Sequence, residues 1–70
     1  MRFNYSALKN IRKKAGMSQA DVMRGLQVLG CKATTRQAVN NWECGANAPS
    51  GLALFCLCKL FGVGPEMFYK

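Results

Sequence analysis

The chain is expected to be all-α, five short helices in a single domain spanning residues 1–70. Three observations carry this. Apolar residues recur at spacings of three and four; each such run is preceded by a residue able to cap a helix and followed by glycine or a turn; and no segment reads convincingly as a strand.

Asn4 can cap a first helix running to about Ala15, with Leu8, Ile11 and Ala15 at helical spacing and Gly16 ending it. Arg12, Lys13 and Lys14 fall in its last turn, where the helix dipole favours cations. Ser18 caps the second helix and Asp21 follows three residues later, a shorter relative of the capping box. That helix is expected to reach about Leu29, with Val22, Met23, Leu26 and Leu29 inward. Gly25 in its middle lowers helix propensity by roughly 1 kcal/mol relative to alanine, and permits a close crossing with another helix. Gly30-Cys31-Lys32-Ala33 reads as a connection.

Thr34 and Thr35 are both candidates to cap the third helix, expected from about Thr35 to Cys44 and stopped by Gly45. Gly45 to Pro49 is a loop by composition. Ser50 then caps a fourth helix to about Phe61, with Leu54, Leu57, Cys58 and Phe61 as its core face and Gly62 closing it. Pro65 suits the first position of a final helical turn that carries Met67 and Phe68 inward.

Seventy residues lie near the lower limit at which an apolar core alone sustains a fold, and the half of them that are apolar argue against disorder. Ten Lys and Arg against three acidic residues give a net charge of +7, which favours polyanionic partners, nucleic acid before an acidic membrane surface. The positive residues are scattered over several helices rather than gathered on one amphipathic face, which speaks against a membrane-surface peptide. No apolar run approaches the ~18 residues of a membrane span.

Four cysteines (Cys31, Cys44, Cys56, Cys58) follow an amino terminus, MRFNYSALKN, that is polar and charged and unlike a signal peptide. Reduced thiols and a cytoplasmic location are therefore expected. There is no histidine and no Cys-x-x-Cys, so no metal site is expected. Catalysis finds no support: the three carboxylates, Asp21, Glu43 and Glu66, fall at positions read as cap, core and helix start. Cys44 is the one thiol worth testing for reactivity. Neither a cofactor nor a small-molecule ligand is evident.

The stretch TTRQAVNNWECG, residues 34–45, carries the chemistry. Val39 and Trp42, three apart, share one buried face, while Arg36, Gln37, Asn40 and Asn41 point elsewhere. Guanidinium and amide groups are the side chains able to make two hydrogen bonds to a single base edge in the major groove.

These residues resemble the lambda-repressor-like helix-turn-helix family of phage repressors, Cro proteins and bacterial xenobiotic-response-element type regulators. The resemblance rests on LKNIRKKAGMSQADV (8–22), VNNWECG (39–45), Pro49 and LFGV (60–63), in this order and spacing. It implies a five-helix fold whose second and third helices form the DNA-binding pair, the third lying in the major groove. It implies that Gln19, with Ser18 beside it at the start of the second helix, holds a DNA phosphate. Arg36 and Gln37 match the first base-reading positions and Asn41 a third one turn later; Asn40 lies at the edge of that face. Thr34 and Thr35 would touch a phosphate or a thymine methyl as well as cap. Lys13, Lys14, Lys32 and Asn47 are the remaining phosphate candidates. Arg12 and Glu43 match a structural ion pair between the first helix and the end of the third.

Two departures from the family pattern stand out: about six additional residues between Gln19 and Thr34, and Met23 where alanine is usual. The fourth helix also carries a second apolar stripe, Leu52, Cys56 and Leu60, which with Tyr69 would form a homodimer face or else cover the second helix or Phe3. The function expected is sequence-specific binding of double-stranded DNA by a small prokaryotic or phage transcriptional regulator. The alternative is an antitoxin-like or accessory module whose apolar fourth-helix face binds a protein.

Overall fold

The computed structural model describes residues 2–69. Among them are four α-helices: α1 (Tyr5–Lys14), α2 (Gln19–Val28), α3 (Arg36–Cys44) and α4 (Gly51–Phe61), followed by a 3₁₀ turn, Pro65–Phe68. Each α-helix opens on a side-chain cap, Asn4, Ser18, Thr35 and Ser50, which accepts from the backbone N–H three residues on and so satisfies one of the orphan donors of the first turn. At Ser18 the box is reciprocal, with the Asp21 carboxylate accepting from the Ser18 backbone N–H at 2.9 Å.

The expected fifth α-helix is instead that 3₁₀ turn. Only four residues separate Gly64 from Tyr69, whose backbone is already extended (φ −126°, ψ 146°) and bridges antiparallel to Phe3. No room is left for an α-helical hydrogen bond to repeat. The turn buries Phe68, while Met67, expected inward, is half exposed. Phe3 stacks on Phe68 and meets Tyr69 edge-on, both at 6.1 Å between ring centres, and the Asn4 N–H donates to the Phe68 carbonyl, so the segment before α1 is tied to the one that follows α4.

The core comprises Leu8 of α1, Val22 and Leu26 of α2, Val39 and Trp42 of α3, Ala53, Cys56 and Leu57 of α4, and Phe68. Two inward assignments fail at helix ends, where the chain turns away: Ala15 caps α1 in solvent, and Leu29, the cap of α2, is 41% exposed. A larger correction concerns α4. Its inward stripe is Ala53, Cys56 and Leu57, with Leu54, Cys58 and Phe61 only half buried. GLALFCLCKLF is apolar almost all round, so periodicity could not choose a face, and the small residues Ala53 and Cys56 are the ones that let α4 approach its neighbours.

The proposed dimer stripe is accordingly dismantled by the protein's own packing. Cys56 is 1% exposed, Leu60 lies over α2, and Tyr69 packs on Phe3. Leu60 explains Gly25: a Cβ there would stand 2.8 Å from Leu60 Cδ1. The glycine makes room for the Leu60 side chain, and of the second apolar stripe Cys56 and Leu60 serve as intramolecular cover while Leu52 is left exposed.

Seven residues, 29–35, connect α2 to α3. They are ordered by their own backbone: Gly30 N–H donates to the Gln27 carbonyl and Cys31 N–H to that of Leu26, the paired bonds of a Schellman ending. The Thr34 N–H donates to the Cys31 carbonyl, and the Gln27 side chain donates to the Thr34 carbonyl at 2.9 Å. The lengthened connection is thus a held loop that delivers Thr35 to its capping position.

Candidate nucleic-acid interface

Helix α3 stands on Val39 and Trp42, both buried, and on Glu43, the one buried charged residue among those described. Val39 to Trp42 to Glu43 is a step of three and then one, which fixes the inward face and turns Arg36 and Gln37 to solvent. Asn40 and Asn41 are half buried at the margins of the outer face. Arg36, Gln37 and Asn40 line an open cleft together with Gln19 of α2, so the starts of the two helices form one polar surface. Thr35 accepts from the Ala38 N–H at 3.0 Å, and its capping role is visible in the geometry. Gly45 ends the helix at φ +80°, a left-handed conformation that a side chain resists, with the Tyr5 ring packed against it.

Beneath this surface lies a charged network. The Arg12 Nε donates to Glu43 Oε2 at 2.6 Å and its Nη2 to Oε1 at 3.1 Å, a bidentate pair whose side chains are 12% and 3% exposed. A third donor of Arg12 reaches the Met17 carbonyl at 2.9 Å, tying α1 to the turn before α2. Gln19 Nε2 donates to Glu43 Oε1 and to Asn40 Oδ1, each at 3.2 Å. The carboxylate dictates the orientation of that amide, since the carbonyl end of Gln19 would be repelled by Glu43.

Both N–H donors of the Gln19 side chain are therefore engaged within the protein. Its amide oxygen is an acceptor, so in this arrangement the Gln19 side chain directs no free donor toward a phosphate. What Gln19 retains is its backbone N–H at the first position of α2, near Ser18 and directed as helix-start donors are. Asn40, whose oxygen receives Gln19, is left with its amino group. On the outer side Gln37 Nε2 donates to Asn41 Oδ1 at 2.9 Å, one turn along α3.

The remaining candidates lie around this centre. Lys13 and Lys14 at the end of α1, Lys32 in the connection and Asn47 after α3 are exposed, and Thr34 is half buried. Asp21 salt-bridges Arg24 at 2.6 Å on the exposed side of α2. Its carboxyl is held below the usual range by the Ser18 backbone N–H, then by the Ser18 hydroxyl and by Arg24.

Two residues and one contact that shape the site had no counterpart among the sequence-based expectations. Gln27, which fastens the connection, shares a helix face with Met23 four residues earlier, a spacing that could have marked it. Tyr5, over Gly45, had no such signal. The approach of Cys31 to Cys56 follows from tertiary placement alone. Among the described residues no group of three or more Cys, Asp or Glu could hold a metal ion, and no helix is long and apolar enough to cross a membrane.

With capped helices α2 and α3 packed at one polar face, comparison with family models finds a match to a helix-turn-helix model over residues 8–68. The chain belongs to the Cro/C1-type helix-turn-helix family. The match runs from within α1 through the 3₁₀ turn, and the family is one of DNA-binding regulators. Comparison with curated proteins and with solved structures returns no significant match.

Proposed function

We propose that this helix-turn-helix protein is a sequence-specific regulator that lays α3 in the major groove of double-stranded DNA. The observation that carries the reading is the division of α3 into a buried footing, Val39, Trp42 and Glu43, and an outer surface where Arg36 and Gln37 are exposed. Arg36 suits the two acceptors of a guanine. Gln37 keeps its oxygen and one N–H, the pair an adenine edge requires, while its other N–H holds Asn41. Asn40 and Asn41 each present amino groups and so favour acceptors.

Phosphate contacts come from the backbone N–H of Gln19 at the start of α2 with the Ser18 hydroxyl beside it, from Thr34 and Thr35, and from Lys13, Lys14, Lys32 and Asn47. These set position without reading sequence. A domain of this size makes few contacts, and tight binding would call for two copies on a near-palindromic site, with repression by occupancy as the simplest outcome. With Cys56 and Leu60 covered, Leu52 and Phe55, each 58% exposed, are the large apolar side chains that α4 leaves in solvent. This exposed pair is what favours the second reading, an accessory module that binds a protein; Phe55→Ser abolishing a complex while leaving DNA binding intact would support it.

The test is selection of bound duplexes from a random pool, repeated with Arg36→Ala and Gln37→Ala. Each substitution is expected to relax preference at its own position and to weaken the selected site by about 1–3 kcal/mol, with salt-sensitive residual binding retained. Unchanged preference in both variants would overturn the assignment of α3 as the reading element.

A further inference from the structure

Cys31 and Cys56 approach to 3.5 Å between sulfurs, although 25 residues separate them. Cys31 follows the Schellman ending of α2 in the connection, and Cys56 is in the inward stripe of α4. Their environments differ in the way an exchanging pair requires. Cys31 is half buried and lines an open groove with Lys32, Trp42 and Leu52, so a small reagent can reach it. Cys56 is 1% exposed, and its thiol points toward the Leu29 carbonyl at 3.7 Å.

We propose that Cys31 and Cys56 form a redox-active pair, in which Cys31 is attacked first and Cys56 resolves the adduct into an intrachain disulfide. The co-reactant is a low-molecular-weight organic disulfide such as glutathione disulfide. The Cys31 thiolate, its proton released to solvent, attacks one sulfur of that disulfide and expels one thiolate, leaving a mixed disulfide on Cys31. Cys56, deprotonated in turn, attacks Cys31 Sγ and expels the second thiol. The protein loses two electrons and two protons, and one molecule of disulfide becomes two of thiol.

The sulfurs must close from 3.5 Å to about 2.05 Å, a movement of about 1.5 Å that side-chain rotation and a small shift of the connection can supply. Burial, with Cys56 alongside, raises the Cys31 thiol above its ordinary value, so the first step is slow at neutral pH and faster in mild alkali. The resulting bond would enclose all of α3, because the loop from 31 to 56 contains residues 36–44. It would fasten the connection that positions the recognition helix to α4, and so stabilise the native state by restricting the unfolded chain.

The experiment uses the full chain, reduced, desalted and incubated with glutathione disulfide at about pH 8.5, where more thiolate is present. Products are mapped by alkylation, digestion and fragmentation mass spectrometry, and melting is followed with and without dithiothreitol. The expected result is a transient glutathione adduct on Cys31 that gives way to a Cys31–Cys56 crosslink two hydrogens lighter than the reduced chain. The oxidised chain is expected to melt on the order of 10 °C higher, reversibly on reduction. Cys56→Ala should trap the Cys31 adduct, and Cys31→Ser should leave Cys56 without adduct or crosslink. Cys58→Ser is expected to leave the crosslink in place. A persistent Cys31 adduct in the unsubstituted chain, crosslinking through Cys44 or Cys58 instead, or an unchanged melting temperature in the crosslinked chain would overturn the proposal.

Discussion

Removing Glu43 should be among the most damaging single changes to this fold. Its carboxylate accepts from Arg12 Nε, Arg12 Nη2 and Gln19 Nε2, all within 3.2 Å, at a site where its own side chain is 3% exposed and that of Arg12 is 12% exposed. Glu43→Ala leaves Arg12 with the Met17 carbonyl as its remaining acceptor and little water to replace the carboxylate. Breaking such a pair from one side costs about 3–5 kcal/mol, against roughly 0–1 for a pair in solvent. A domain of this length has on the order of 4–10 kcal/mol in total, so the variant loses a large fraction of its stability and melts roughly 15–30 °C lower. Chemical denaturation followed by Trp42 fluorescence and helical circular dichroism measures the difference directly. The double variant Arg12→Met/Glu43→Leu separates charge from packing, because it removes both ions together and should recover most of the loss. A cost below about 1 kcal/mol for Glu43→Ala, or a double variant no more stable than the single one, would refute the account of a desolvated and mutually dependent pair.

Other outcomes follow from single features. Asp21 titrates lower in the folded chain than in the unfolded one, so its contribution is complete above the ordinary carboxylate range and is lost as pH falls through the depressed folded value; Asp21→Asn should flatten the acid limb of the stability curve below about pH 4 while changing little of its shape near neutrality. Gly25→Leu should drive α2 from Leu60 and cost about 1–3 kcal/mol, partly relieved by Leu60→Ala, as read by denaturant midpoints. Gly45→Ala places a side chain at φ +80° and 3.0 Å from the Tyr5 ring, and should cost about 1–2 kcal/mol; a neutral result would show that α3 can end otherwise.

The sequence made legible those features whose physics is local. Asn4, Ser18, Thr35 and Ser50 cap because a short polar side chain meets unpaired N–H groups within its own turn, and Val39 and Trp42 find the core because a spacing of three leaves them little choice. Where the local signal was degenerate, tertiary contacts decided. In α4 nearly every residue is apolar, and the face followed the fit of Ala53 and Cys56 against the other helices rather than the fit of Leu54 and Cys58 to a pattern. The final turn failed to become an α-helix because Tyr69 is needed in extended form beside Phe3. Gln19 turns its amide donors inward because Glu43, 24 residues away, claims its amide. A propensity scale contains neither partner.

That last contact links the stability of the fold to the surface proposed to read DNA. The charge on Arg12 draws Glu43 into place, Glu43 fixes the amino group of Gln19, and Gln19 in turn fixes the oxygen of Asn40, so that the Asn40 amino group is the end directed away from the network. Glu43 approaches no base in this scheme, yet its removal frees two amides that lie on the polar cleft. The Arg12→Met/Glu43→Leu variant, which should be folded, is therefore expected to retain the preference set by Arg36 while losing discrimination wherever Asn40 makes its contact. Gln19→Ala, which spares the ion pair, should produce the same selective loss with little effect on melting. Full discrimination in both variants would show that Asn40 is oriented by the DNA on docking, and that the network beneath it serves the fold alone.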